Sequence, residues 1–305
     1  MVTAAPLRSC KMDLDTSPDA FGELRSSADC AEQPAELRRR LEEDGYLFIP
    51  GYLNRESVLE ARASVAARLE AEGLLDPAHP AMDLVARPDT EMAFRADLAV
   101  NNPAVARVVF GPELLGFYTG LFGEPVRHFD FIWYRALSRG QGTPPHCDLV
   151  YMSRGTHELL TCWIPYGEVP LEVGGLMLLE GSHRKADRLK SYLEVDVDTY
   201  CENDPRQVEK VKGKNAWSHP GWLTFNPVVL QKRLGGRWLT AAEYQPGDLL
   251  TFKMTVVHAS LDNQTDRIRI SSDTRYQRAS QPADERWIGW NPAAHGPRAK
   301  RGRIC

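Results

Sequence analysis

The pattern of apolar and polar positions changes period along this chain. Between Glu36 and Glu43, Leu37 and Leu41 recur four residues apart among Arg and Glu, which predicts a short helix. Gly45-Tyr46-Leu47-Phe48-Ile49-Pro50 reads as a buried strand stopped by proline. Asn54 is an N-cap candidate for an amphipathic helix over Arg55 to Glu72, with Val58, Val65 and Leu69 on one stripe and Gly73 as its C-cap. Pro103 to Phe122 is predicted helical, broken near Gly111-Pro112. Beyond Phe122 the spacing shortens to apolar runs separated by Gly and Pro. These are His128 to Arg135, Leu159 to Pro165, Gly175 to Leu179, Asp248 to Met254 and Arg267 to Tyr276. Several are β-branched or aromatic, so the predicted class is α+β, with helices first and an antiparallel double sheet as the core.

Two stretches lack a period. Met1 to about Pro34 is polar and is expected to be a poorly ordered leader. About Leu189 to Tyr244 is polar, rich in Lys, Trp and Pro, and too long for a simple connection, so it reads as an insertion over the barrel mouth. The expected organisation is a leader over 1–34, a single domain over 35–280 with the insertion at about 189–244, and a tail over 281–305.

Composition adds exclusions. The 305 residues are 43% hydrophobic and 26% charged, enough for one large domain or two small ones. A net charge of -4 argues against nucleic acid as a partner, and the short basic run Arg298 to Arg303 reads as solvated. No apolar run approaches the roughly 20 residues that span a bilayer. Six scattered cysteines without a C-x-x-C pair read as reduced thiols, which, with no apolar leader sequence, predicts the cytoplasm. The expected partner is a small molecule, and the expected state a monomer or small homo-oligomer.

Candidate chemistry centres on His146-Cys147-Asp148 and a distant His258. On an extended chain, residues i and i+2 share a face, so His146 and Asp148 can converge while Cys147 points away. His258 ends the run Leu249 to Val257. Two imidazoles and a carboxylate on one face of an octahedral Fe(II) leave three positions open, as in non-haem oxygenases. A rival His-x-Asp pair, His128 and Asp130, lies in an alternating run and is the weaker candidate. Arg269, in Arg267-Ile268-Arg269-Ile270, shares a face with Arg267. A buried arginine opposite a metal needs an anion, and a dicarboxylate co-substrate would supply one. Arg267 and Arg275 are the alternatives. Ser260 is placed to add a hydroxyl to the same carboxylate.

With these residues the chain resembles the phytanoyl-CoA dioxygenase-like family of Fe(II)/2-oxoglutarate oxygenases, from about Leu37 to Gln277. The resemblance is carried by "DGYLFIPGYL" at 44–53, "HCD" at 146–148, "TCWIPY" at 161–166, "GGLMLLEGSHR" at 174–184, "PGDLLTF" at 246–252 and "HASLDNQTDRIRISSDTRYQ" at 258–277. It implies a double-stranded β-helix (jelly-roll) core, iron held by His146, Asp148 and His258, the 2-oxoglutarate C5 carboxylate held by Arg269 and Ser260, and Trp163 lining that site. Halogenases of this type replace the carboxylate ligand with a small residue, so Asp148 points to hydroxylation. The expected reaction consumes O2 and 2-oxoglutarate, releases succinate and CO2, and is stimulated by ascorbate. Trp217, His219, Trp222, Phe225 and Trp238 of the insertion either close over the substrate or pack on the barrel. Other readings are desaturation, epoxidation or cyclisation with the same cofactors, a non-catalytic cupin-type binding module, and a zinc hydrolase using the same ligands.

Overall fold

A computed structural model describes residues 6–212 and 219–305. The expected helices form. Pro34–Asp44 ends at Gly45, whose φ of 80° suits a residue without a side chain. Arg55–Ala71 is capped by the Asn54 side chain, which accepts from the Ser57 amide at 2.8 Å. Pro103–Phe110 and Pro112–Phe122 are two helices. Gly111 between them is extended (φ -72°, ψ 166°), as the residue before a proline tends to be, and a Cβ there would lie 2.2 Å from the Arg107 carbonyl oxygen.

Two antiparallel-rich sheets form the core. The larger runs Tyr46–Ile49, Leu249–Lys253, Leu160–Pro165, Arg269–Arg278, Val126–His128, and Trp133–Leu137 also pairs with Arg269–Arg278. One face of it carries Leu47, Ile49, Cys162, Ile164, Leu249, Ile270 and Tyr276, which share a cluster with the helices through Leu37, Leu41, Val58, Val65, Leu69 and Leu114. Truncating one such leucine to alanine would cost about 2–5 kcal/mol. The other face, with Trp163, Leu250 and Phe252, packs against Leu176, Leu178 and Leu239 of the smaller sheet. That sheet runs His258–Ser260, Leu176–Leu179, Trp238–Thr240, Phe21–Glu23. The class is mixed α and β, with one sheet face under helices and the other facing the second sheet.

Several expectations are corrected. The leader is not structureless from residue 6 onward. Arg8–Ser9 pairs with Met12–Asp13, and Phe21–Glu23 joins the smaller sheet beside Trp238–Thr240. Its fully buried apolar residues, Leu14, Leu24 and Cys30, enter three different clusters built largely by other elements, so no period betrays them. The run His128 to Arg135 is not one strand but the ends of two, interrupted at Phe129–Ile132. His258 does not end the Leu249 strand. That strand stops at Lys253, and His258 opens a strand in the other sheet.

The insertion over 189–244 is a framework element at its far end. Trp238 is 1% exposed inside the smaller sheet, so it packs rather than closes over a substrate. Trp217 lies outside the described residues. Cys201 and Cys305 form a disulfide, with their Cα atoms 5.6 Å apart, so two of the six cysteines are not reduced thiols. The cytoplasmic expectation loses that support. The basic run is also not wholly solvated: Arg301–Arg303 pairs with Thr199–Cys201, and the Lys300 side chain, 7% exposed, meets Asp198 at 2.7 Å. None of the described helices is long and apolar enough to cross a membrane.

Candidate active site

His146, Asp148 and His258 come together, each buried, with ligand atoms within 4.8 Å of one another. Among the described residues they are the one such cluster of three or more. Their meeting is built by the backbone. The His146 amide donates to the His258 carbonyl at 3.0 Å and the His258 amide returns the bond at 2.9 Å. Cys147 is extended (φ -115°, ψ 142°), so its thiol turns into the apolar cluster of Met177 and Val257 while its neighbours share the other face.

Nδ1 of His146 lies 2.8 Å from the Pro144 carbonyl oxygen and Nδ1 of His258 lies 3.1 Å from that of Val256. A carbonyl only accepts, so each Nδ1 carries a proton, and Nε2 is the nitrogen left to offer a lone pair to a metal. Both Nε2 atoms lie 3.6 Å from Asp148 Oδ1. Burial, then the neighbouring His146, pushes His258 down to about 3, which keeps it a neutral donor. Asp148 is wholly buried, which raises its pKa, but Arg275 and the two imidazoles outweigh burial and hold it well below the usual range.

The sequence reading missed what holds Asp148. Its Oδ2 accepts from the Thr161 hydroxyl at 2.5 Å and from Arg275 Nη2 at 2.7 Å. Arg275 also pairs with Asp273 and stacks on Trp133, 4.1 Å from the ring centre. The sequence shows the alternation but not the pairing register. Alternation along Arg269–Arg278 puts Arg269, Ser271, Asp273 and Arg275 on one face, and the register sets Trp163 and Thr161 of the next strand opposite Asp273 and Arg275.

Of the three candidate arginines, Arg275 is thus committed to carboxylates. Arg267 does not line the metal cavity; it lines a separate cleft with Arg62 and Asp83, which Arg269 also borders. Arg269 is different: 2% exposed, it lines the same cavity as His146 and His258, and its Nε and Nη1 have no partner. Burial, then the nearby Arg135, pushes its guanidinium down to about 9. Trp163 lines that cavity too, 5.9 Å from the Arg269 guanidinium, and its buried Nε1 is also unpartnered. Ser260 is buried with its hydroxyl accepting from the Thr143 amide at 2.8 Å. Thr143, rather than Ser260, lines the cavity. Near the His146 ring stand Tyr151 and Trp222, with centroids at 5.7 and 5.9 Å, and Phe225 lies 6.5 Å beyond Trp222. His219 accepts from the Gly221 amide at 3.0 Å. The rival pair sits elsewhere: His128 stacks on Phe110, and Asp130 accepts from the Gly289 amide.

The fold and site together define a dioxygenase: the chain belongs to the phytanoyl-CoA dioxygenase (PhyH) family, whose sequence profile matches residues 41–271. Among curated proteins it is 27% identical over 266 residues to a 1-deoxypentalenic acid 11-beta-hydroxylase of Streptomyces exfoliatus, covering 80% of this chain and 81% of that one. Among solved structures it resembles the non-haem α-ketoglutarate-dependent carbocyclase SnoK from nogalamycin biosynthesis. The TM-score is 0.58 at 20% identity, covering 85% of this chain and 90% of that one. The epimerase SnoN, solved with Fe3+, α-ketoglutarate and nogalamycin RO, gives a TM-score of 0.55 at 21% identity, covering 87% and 94%.

Proposed function

We propose that this protein is an Fe(II)- and 2-oxoglutarate-dependent dioxygenase that hydroxylates an unactivated C–H bond of a small-molecule metabolite. On this reading its two sheets are the halves of a double-stranded β-helix. Antiparallel pairing within each sheet and one apolar cluster shared between them support that description. With iron and 2-oxoglutarate bound and O2 as the oxidant, the site would supply chemistry strong enough to break such a bond, one oxygen atom going to the substrate and the other to succinate as CO2 is released.

His146, Asp148 and His258 would hold the iron, and the residues fit it: two imidazoles and one carboxylate suit Fe(II) and leave positions open. Arg269 would hold the far carboxylate of 2-oxoglutarate through the two nitrogens that lack protein partners, with Trp163 donating from Nε1. Ser260 would act beside Thr143, its own hydroxyl proton remaining for an acceptor. The observation that carries the reading is Arg269, since a buried guanidinium without an anion is costly. A non-catalytic binding module or a zinc hydrolase leaves that arginine without a task. Hydroxylation is the outcome we assign, in line with the name of the curated relative.

The test separates the two sub-sites. Asp148→Ala and His146→Ala should lose Mn(II) binding in calorimetry and Fe(II)-dependent succinate formation. Arg269→Gln should keep metal binding but lose metal-dependent binding of 2-oxoglutarate. The reading fails if the wild-type protein binds no 2-oxoglutarate in the presence of metal.

A further inference from the structure

The arginines of the metal cavity carry more positive charge than its aspartates neutralise. Arg135, on strand Trp133–Leu137, stands opposite Ser271 in the sheet, and its side chain lines the same cavity as His146, His258 and Arg269. Its Nε lies 3.3 Å from Asp273 Oδ2, on a carboxylate whose other oxygen already accepts from Arg275. Among the described residues no other acceptor hydrogen-bonds to the Arg135 guanidinium, whose side chain is 22% exposed. Three arginines, 135, 269 and 275, therefore face two aspartates, 148 and 273.

Iron(II) adds two positive charges and 2-oxoglutarate removes two, so the cavity keeps one surplus positive charge. Arg275 bridges both aspartates, and Arg269 serves the far carboxylate of the co-substrate. The surplus falls on Arg135. A guanidinium largely removed from water and short of an anion is costly, and a carboxylate matches its fork. A phosphate, with close to two charges, would overshoot. The surroundings describe the rest of the ligand. The Phe94 ring lies 5.9 Å from the Arg135 guanidinium and is 50% exposed. Phe131 stacks beside it at 6.5 Å and meets Trp133 at 4.8 Å. An apolar row thus flanks a guanidinium whose one carboxylate partner is shared with Arg275.

We propose that the primary substrate is an apolar monocarboxylic acid, its carboxylate held by Arg135 and its hydrocarbon body lying along Phe94 and Phe131. The proposal rests on the iron and 2-oxoglutarate reading of the same cavity, and it makes Arg135 a specificity-determining residue rather than part of the co-substrate site.

The test uses full-length protein loaded with Mn(II) and 2-oxoglutarate without oxygen. Thermal-shift and tryptophan-fluorescence titrations compare alicyclic and straight-chain monocarboxylic acids, each paired with its methyl ester, against wild type, Arg135→Gln and Arg135→Lys. Wild type should prefer acid over ester by about tenfold or more, the effect expected of one charge-assisted pair. Arg135→Gln should abolish that preference and Arg135→Lys keep part of it, while each variant still binds 2-oxoglutarate. The proposal is overturned if acids and esters bind wild type alike, or if Arg135→Gln leaves the preference intact. It is also overturned if Arg135→Gln weakens 2-oxoglutarate as much as Arg269→Gln does, which would place Arg135 on the co-substrate. If wild type itself binds no 2-oxoglutarate, the functional reading fails instead, a distinct result.

Discussion

The carboxylate of Asp148 is asymmetric. Oδ2 receives Thr161 and Arg275, so Oδ1, equidistant from both imidazole Nε2 atoms, is the oxygen left to face a metal. Thr161 thereby sets which lone pairs the ligand offers, and partners of this kind are worth about 10–100-fold in metal affinity. Thr161→Val keeps the shape and removes only the donor, so we expect Mn(II) affinity to fall within that range in calorimetry. The fold should survive, since one lost hydrogen bond costs about 1–3 kcal/mol. Unchanged affinity would mean that Arg275 alone orients the carboxylate. The ligand types were legible at this scale, because His146, Asp148 and His258 are recognisable by side-chain chemistry and spacing. Their supporting residues were not. Arg269 and Arg275 are the same residue type on the same strand face. Only the register against Thr161 and the place of Asp273 between them separates a neutralised arginine from a stranded one.

Elements with a long period were readable, and those that borrow their stability were not. The helices Pro34–Asp44 and Arg55–Ala71 announce themselves by spacing and caps. The hairpin Arg8–Ser9 with Met12–Asp13 does not. Its two turn residues, Cys10 and Lys11, have φ of 53° and 63°, where Asn-Gly would be usual and where other residues pay about 1–2 kcal/mol each. The turn is held from outside. The Asp262 carboxylate accepts the Cys10 and Lys11 amides at 2.9 and 2.7 Å, and Ser9 Oγ donates to the Ser260 carbonyl at 2.8 Å. The N-terminal segment is thus tied to the strand that carries His258. Asp262→Ala should leave two amides and a strained turn unsupported. We expect a loss of about 1–3 kcal/mol in urea unfolding and faster proteolysis within residues 6–14. Adding Lys11→Gly, which removes the strain at one turn residue, should recover part of the loss. If Asp262→Ala unfolds like wild type and resists protease equally, the hairpin is held by other contacts.

Across the whole molecule, the C-terminal segment returns to the insertion and fixes it. Trp287 packs with Phe131 and Trp133. Arg286 joins Asp284 at 2.5 Å to Asp198 at 2.6 Å, and Asp198 also meets Lys300 at 2.7 Å and His295 at 2.8 Å. Burial raises the Asp198 pKa, but His295, Lys300 and Arg286 outweigh it and hold the carboxyl well below the usual range. The Cys201–Cys305 disulfide then closes the edge where Thr199–Cys201 meets Arg301–Arg303. None of this could be read from spacing: the cysteines are 104 residues apart and the ion-paired residues are scattered among ordinary surface charges. The site was legible because chemistry constrains which residues hold a metal, whereas these long-range ties are satisfied by many arrangements. The disulfide has a definite energetic consequence. Closing a loop of that length removes unfolded-state entropy worth about 4–5 kcal/mol on the chain-entropy model, an upper figure where the native ends are already held by other contacts. Wild type treated with reductant, and the double variant Cys201→Ser/Cys305→Ser, should therefore unfold at the same lower urea concentration. Both should lie below oxidised wild type, with a steeper transition, because the unfolded chain without the cross-link exposes more surface. The Mn(II) affinity of all three should agree, because His146, Asp148 and His258 are held by the two sheets and not by the tail. If reduction lowers metal affinity along with stability, the C-terminal segment supports the metal cluster as well as the fold.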